Sequence, residues 1–273
     1  MAMDFHDAFN PFRALRHGVA ALKRDPPTVL VGGLLLMIMS SCQGGGGNFR
    51  MPSDGGGMSK EMAAVALGAA LVGCCIGLAV FLARGFIEPG IWRAGARITE
   101  EGVGGMDTLF SGKDAWLSML GYMLIRTLIG LGVFIVTALP GGLLLGLAFY
   151  KGGGGEPNLP LAIAGGALML LIVAPVMIYV QLGLQLGNLA VAIDDCKAME
   201  ALDRSWNLAR GNRLQLLVFD IVNGLLVFVG FLACCIGAIP AYGVVFSATS
   251  NAYLLHTRDD FEDFVLVQEE GAY

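Results

Sequence analysis

Six apolar runs, at 28–42, 62–82, 116–139, 161–193, 214–235 and 239–255, divide the chain, separated by charged or glycine-rich segments. A helix needs about 20 apolar residues to cross the hydrocarbon core of a bilayer. The pattern therefore predicts an all-α integral membrane protein with six transmembrane helices. The last two runs are broken only around Gly237 and Pro240. A single helix over 214–255 would be about 63 Å long, twice the thickness of the bilayer core. A tight helical hairpin is expected there instead.

Two further segments carry helical rather than uniform apolar spacing. Asn10 can cap a helix that has Pro11 in its first position. Phe12, Leu15, Val19 and Leu22 then share a face opposite Arg13, Arg16 and Lys23. Met199, Leu202, Trp206 and Ala209 likewise share a face, with Glu200 and Arg204 paired at i, i+4 on the other side. Both are expected to be cytoplasmic interfacial helices lying along the inner leaflet, with Trp92 and Trp116 at the same headgroup level. A unit of basic amphipathic segment, outgoing span and returning span thus recurs three times, from about Asn10, Ile91 and Cys196. Ala14-Leu15 matches Ala201-Leu202, and Cys-Cys-Ile-Gly occurs at both Cys74 and Cys234. Internal repetition and topology alone would each produce this pattern.

Lysine and arginine orient the spans. Arg13, Arg16, Lys23, Arg24, Arg84, Arg93, Arg97, Lys113, Lys197, Arg204, Arg210, Arg213 and Arg258 fall on one side; Arg50, Lys60 and Lys151 fall on the other. The crowded side is cytoplasmic by the positive-inside rule, which puts both termini inside. The outer loops at 43–59 and 151–158 are rich in glycine and read as solvated linkers.

Composition agrees: 56% of residues are hydrophobic and 14% charged, against roughly 25% charged in soluble domains. The net charge of −5 comes from the last residues, where Asp259, Asp260, Glu262, Asp263, Glu269 and Glu270 face only Arg258. The rest is near neutral and offers nucleic acid no large basic surface. Residues 1–258 are read as a single membrane domain and 259–273 as an acidic cytoplasmic tail. A disordered tail is the first expectation, with Phe261, Phe264 and Leu266 offering a cytoplasmic or membrane partner a docking motif as the alternative. The cysteines show no zinc-type spacing, and buried free cysteine behaves as a small hydrophobe.

Glu88-Pro89-Gly90-Ile91-Trp92-Arg93, followed by Gly104-Gly105-Met106-Asp107-Thr108-Leu109-Phe110-Ser111-Gly112, resembles the loop between spans two and three of a group of bacterial six-helix proteins. That group is known as the glycerophosphoryl diester phosphodiesterase membrane domain, with a related domain of unknown function. Ala201-Leu202-Asp203-Arg204-Ser205-Trp206-Asn207-Leu208-Ala209-Arg210-Gly211-Asn212 resembles the family's AL-x-RSW-x-L-x-RGN segment before span five. The resemblance covers most of 11–256. It implies a six-helix fold in the bacterial inner membrane. The phosphodiesterase in the family's name belongs to a separate soluble domain.

Candidate chemistry is sparse. Arg126 lies ten residues past Trp116, about 15 Å into a span, where a charge costs ~2.5 kcal/mol or more. Asp220 lies about 9 Å into another span, and a long arginine side chain can reach towards it. An Arg126–Asp220 ion pair is expected. Asn223 follows Asp220 by one turn; Gln181, Gln185 and Asn188 form a polar stripe in span four, where Pro175 should place a kink; Ser247 and Asn251 do likewise in span six. These groups form either a cytoplasm-facing polar cavity or a structural hydrogen-bond network. Met39-Ser40-Ser41-Cys42 before Gln43 and four glycines resembles a lipobox, making Cys42 a candidate lipidation site. His6, His17 and His256 form no metal-type cluster, no nucleophile or phosphate-loop motif is present, and Asp194-Asp195 reads as a helix-end charge pair. No cofactor is expected. The leading expectation is a non-enzymatic multi-pass inner-membrane protein serving membrane organisation or a partner system, with membrane lipids around it. The alternative is a small-solute or lipid transporter or handling protein built on the Arg126/Asp220 cavity.

Overall fold

The computed structural model describes residues 10–44, 60–151, 158–233 and 235–258, which are helical throughout apart from short connections. The helices are α1 (Pro11–Arg24), α2 (Pro26–Gly44), α3 (Lys60–Glu101), α4 (Trp116–Lys151), α5 (Leu159–Leu184), α6 (Gly187–Ile193), α7 (Ala198–Ala209), α8 (Arg213–Ala233) and α9 (Cys235–Thr257), with a 3-10 turn at Thr108–Lys113. Within them, four stretches are long and apolar enough to cross a membrane: Leu71–Glu101, Trp116–Tyr150, Leu159–Ile193 and Arg213–Ala233; Pro26–Ser40 is a shorter apolar helix. The chain therefore has the helices of a membrane protein.

Asn10 caps α1 as its sequence position predicts, its Oδ1 accepting from the Phe12 and Arg13 N–H groups at 3.1 and 3.4 Å. Asp25 ends α1 and opens α2. Its carboxylate accepts from the Thr28 N–H at 3.4 Å and, from the far side, the Gly104 N–H at 3.0 Å. Burial works against that charge. The bonds from the Thr28 hydroxyl and from the Gly104, Thr28 and Gly105 N–H groups outweigh burial and hold the carboxyl below the usual carboxylate range. One side chain thus fixes the α1–α2 corner to the loop after α3.

α9 is the most enclosed long helix. Ala238, Ala241, Val244, Phe246, Ser247, Ala248, Ser250, Asn251, Tyr253 and Leu254 along it are all buried, with α1, α2, α3 and α8 packed around it. α1 meets it through Ala14, Gly18 and Ala21. The Phe12/Leu15/Val19/Leu22 face is left half-buried or exposed. α7 repeats this arrangement, burying Ala201, Ser205 and Ala209 while Met199 is 65% exposed.

Several expectations change. The helix that carries the second apolar run does not stop near Leu82, and no separate helix begins at Ile91: α3 runs unbroken through Pro89 to Glu101. Ile91, Ala94 and Ile98 bury against Leu109 and Phe246, and that packing sustains the helix past the proline. Trp92 turns inward, its indole N–H donating to Glu88, where a headgroup position was expected. α5 remains helical through Pro175 and stops at Gln185–Leu186, a break not expected from the sequence. The carbonyls freed there accept from side chains, Gly183 from the Ser205 hydroxyl at 2.8 Å and Leu184 from the Tyr122 hydroxyl. The α8–α9 hairpin does form, but α9 already begins at Cys235, so Gly237 and Pro240 lie inside it. The threefold repeat also fails in packing. α4 pairs with α5 and α8 with α9, whereas α2 packs chiefly on α9 rather than on α3.

α2 approaches α9 so closely that a Cβ at Gly33 would lie 2.3 Å from the Ile239 carbonyl oxygen and 2.7 Å from the Gly243 nitrogen. Both obstacles are backbone, so the helices themselves would have to separate. Gly142 on α4 meets nothing within 4 Å. Gly33→Ala should lower the melting temperature in detergent by several degrees. Gly142→Ala should leave it unchanged or raise it, since alanine is the better helix former by up to about 1 kcal/mol.

Candidate functional site

The site is built where α3, α4, α5 and α6 meet. Glu88, one turn after Arg84 and one turn before Trp92, is 1% exposed. Its carboxylate accepts from Arg84 Nε at 2.6 Å, from Asn188 Nδ2 at 2.7 Å and from Trp92 Nε1 at 3.3 Å. A carboxylate so enclosed is tolerable because a guanidinium neutralises it and N–H donors occupy its remaining lone pairs. The Asn188 Oδ1 is buried and has no partner among the described residues.

Beside this cluster lies a cavity of about 590 Å³. Its polar lining includes Arg84, Arg126, Gln181 and Asn188; Phe81, Leu131, Phe134 and Met177 contribute apolar wall. Arg126 Nε and Nη2 both donate to Gln181 Oε1, at 3.3 and 2.8 Å. Among the described residues no carboxylate stands within ion-pairing distance of it.

The direct Arg126–Asp220 pair expected from the sequence is therefore corrected. Asp220 is bonded by Gln185 and feels Arg126 only through space. The reason is topological: α4 pairs along its length with α5, which puts Gln181 opposite Arg126, while Asp220 stands on α8, which borders α5. The structure thus joins Arg126, Gln181 and Asn188 in one cavity and sets Gln185 and Asp220 next to it. It does not bring in the remaining three. Asn223 is buried on α8, and the Ser247 hydroxyl donates to Gly243 on its own helix at 3.1 Å. Asn251 is fully buried, its amide without a partner among the described residues. Cys42 lies in α2, with its side chain outside the described residues, as does the whole acidic tail.

Sequence reasoning missed Arg84 and Glu88, although Arg84, Glu88 and Trp92 stand at successive i, i+4 positions and share a helix face.

A second polar layer closes the charge-rich end. Arg93 donates to the Ala192 carbonyl at 2.7 Å, the Ser111 carbonyl at 3.0 Å and Asp195. Asp194 ends α6, pairs with Arg204 at 3.2 Å and accepts from the Tyr253 hydroxyl. Arg258 pairs with Glu100. Arg213 stacks over Tyr179 and Trp206, 3.5 and 4.4 Å from the ring centres. Burial pushes the Cys196 thiol up, away from its reactive form. Among the described residues no three His, Cys, Asp or Glu side chains stand close enough to hold a metal ion.

Residues 12–254 match a protein family described as a domain of unknown function, DUF7847. The match agrees with the domain-of-unknown-function half of the resemblance and does not carry the phosphodiesterase membrane-domain name. No curated protein and no solved structure matches the chain.

The Glu88 cluster makes a thermodynamic prediction. Glu88→Gln leaves the Arg84 guanidinium three-quarters enclosed without its counter-charge, which should cost about 3 kcal/mol, the lower end for breaking a buried pair. Pairing Glu88→Gln with Arg84→Gln should recover much of that loss. Thermal unfolding of both singles and the double in neutral detergent measures the coupling; additive losses would show that the two charges do not depend on each other.

Proposed function

From the premise that this chain belongs to the DUF7847 family, a domain of unknown function, we propose that it is a non-enzymatic, multi-pass protein of the bacterial cytoplasmic membrane whose working part is a cavity that receives an anion. The observation carrying this reading is the pair of guanidiniums, Arg84 and Arg126, lining one cavity of mixed polar and apolar wall within candidate spans. A charge placed there costs ~2.5–3.5 kcal/mol and usually marks a partner or a pathway. Arg84 has its partner in Glu88; among the described residues Arg126 donates to a neutral carboxamide and has no ion-pair partner.

In the proposed arrangement α2 and α9 complete six spans with the four stretches that are long and apolar enough to cross a membrane, and both termini are cytoplasmic. α9 is sheltered by its neighbours, which suits its Ser247, Ser250 and Asn251. α1 and α7 lie along the inner leaflet. Their small-residue faces bed on the bundle, and Phe12, Val19 and Met199, each exposed, turn to lipid. A purely accessory role, with the acidic tail engaging another protein, is the second reading; it draws on the tail's charge and interleaved aromatics.

Cysteine labelling on a cysteine-free background tests the arrangement. Position 53 should react in intact cells and position 212 only after permeabilisation; outside labelling at 212 would reverse the orientation. The cavity is tested with inorganic phosphate. A ligand at ten times its Kd stabilises the folded state by about 1.4 kcal/mol, so phosphate in that range should raise the melting temperature of the wild type by a few degrees. Arg126→Gln should abolish the rise. No response in the wild type at any concentration would remove the anion reading.

A further inference from the structure

α4 crosses α3 where the Trp116 indole N–H meets the Leu82 carbonyl at 3.4 Å and Leu120 lies against Gly85. Inward of the crossing α3 enters the bundle, with the full turn of Glu88, Pro89, Gly90 and Ile91 buried. Outward of it α3 leaves the bundle: every residue from 71 to 79 is exposed, and a Cβ at Gly73 or Gly77 would meet nothing within 4 Å. The cavity sits in the angle between the two helices. Leu131 and Phe134 line it and are also 52% and 41% exposed, so they form its mouth. The cleft therefore opens sideways, between spans, onto whatever surrounds them.

What surrounds spans in a membrane is lipid, and the two chemistries of the cleft match its two parts. Phe81, Leu131, Phe134 and Met177 offer carbon and sulfur alone, which a wholly polar solute would leave uncovered. Arg126, without an ion-pair partner among the described residues, would be left unanswered by a hydrocarbon. Guanidinium binds phosphate oxygens in a planar, charge-assisted geometry. A volume of about 590 Å³ falls among pockets that enclose a small organic ligand, about 300–1,000 Å³. It has room for a headgroup and part of one chain. Resting on the anion-receptive reading above, we propose that the cleft holds an anionic phospholipid entering laterally between α3 and α4. The phosphate lies on Arg126 and Arg84, and one acyl chain leaves past Leu131 and Phe134.

Gly130 makes the proposal testable without touching a charge. It lines the cavity, and a Cβ there would meet only Gln181 Nε2, at 3.7 Å, an ordinary contact. Gly130→Leu would therefore fill the cavity while improving the helix. The full chain in neutral detergent is offered equal amounts of dimyristoyl phosphatidylglycerol and dimyristoyl phosphatidylcholine, and retained lipid is read by native mass spectrometry. Wild type should retain phosphatidylglycerol at least tenfold over phosphatidylcholine. Arg126→Gln should lose the preference. Gly130→Leu should lose retention of both while melting no lower than wild type. Equal retention of the two lipids by wild type, or an undiminished preference in Gly130→Leu, overturns the lipid assignment. In that event a phosphate-induced rise in melting temperature would leave the anion-receptive cavity standing, with free phosphate or a soluble phosphate ester as its occupant. Silence towards phosphate as well would remove both readings.

Discussion

Glu88 is a carboxylate enclosed beside a proline in the middle of α3, and its neutralisation ties together the elements around it. Pro89 supplies no N–H to the α3 ladder, so backbone bonding alone does not hold the helix straight at this point. The carboxylate one residue earlier fastens it from outside, through Arg84 and Trp92 on α3 itself and Asn188 on α6. Asn188 in turn stands in the first turn of α6, the short helix that follows the break after α5. That break persists because Ser205 and Tyr122 take up its loose carbonyls. One buried charge thereby connects α3 to the broken span, and the broken span to α7 and α4.

Around this hub, contact is made by the smallest residues. Gly33 of α2 and Gly18 of α1 both stand where a Cβ would strike the α9 backbone. In lipid there is little hydrophobic drive between helices, so close van der Waals approach and interhelical hydrogen bonds must hold them. This suits α9, the centre of the packing, which buries Ser247, Ser250 and Asn251 among its alanines. Serine and alanine let its neighbours approach, and its polar atoms never need to face lipid.

The apolar helices were legible because membrane insertion is governed by long, additive composition, and four of them are long and apolar enough to cross a membrane. The Asn10 cap was legible for the opposite reason: it depends on three adjacent residues. The face by which α1 docks was not. Phe12, Leu15, Val19 and Leu22 form the conspicuous stripe, yet Ala14, Gly18 and Ala21 make the contact, because proximity of backbones, not side-chain size, decides docking here. Arg126 and Gln181 were singled out by their rarity within spans. Their pairing was not predictable, since it follows from α4 choosing α5 as its partner. Glu88 escaped because it lies just past an apolar run, where a charge draws no attention; only the fold makes it buried.

These elements also bear on why the cavity exists at all. Two antiparallel helices in full contact, such as α4 and α5, close on each other, with Gly141 and Gly165 nearly touching. α3 and α4 cannot do this. α3 is secured from Gly85 inward by the Glu88 cluster and by Ile91 and Ile98 in the inner core, which fixes its direction before it reaches the level of Arg126. α4 is held along α5 in a different direction. Two rigid rods anchored at one end on different partners diverge, and the space between them widens away from the anchor. Arg84, a participant in the anchor and a lining residue of the cavity, stands where the divergence begins. The bond that neutralises Glu88 therefore also presents a guanidinium to the cleft, so the structural charge and the candidate binding charge are parts of one arrangement.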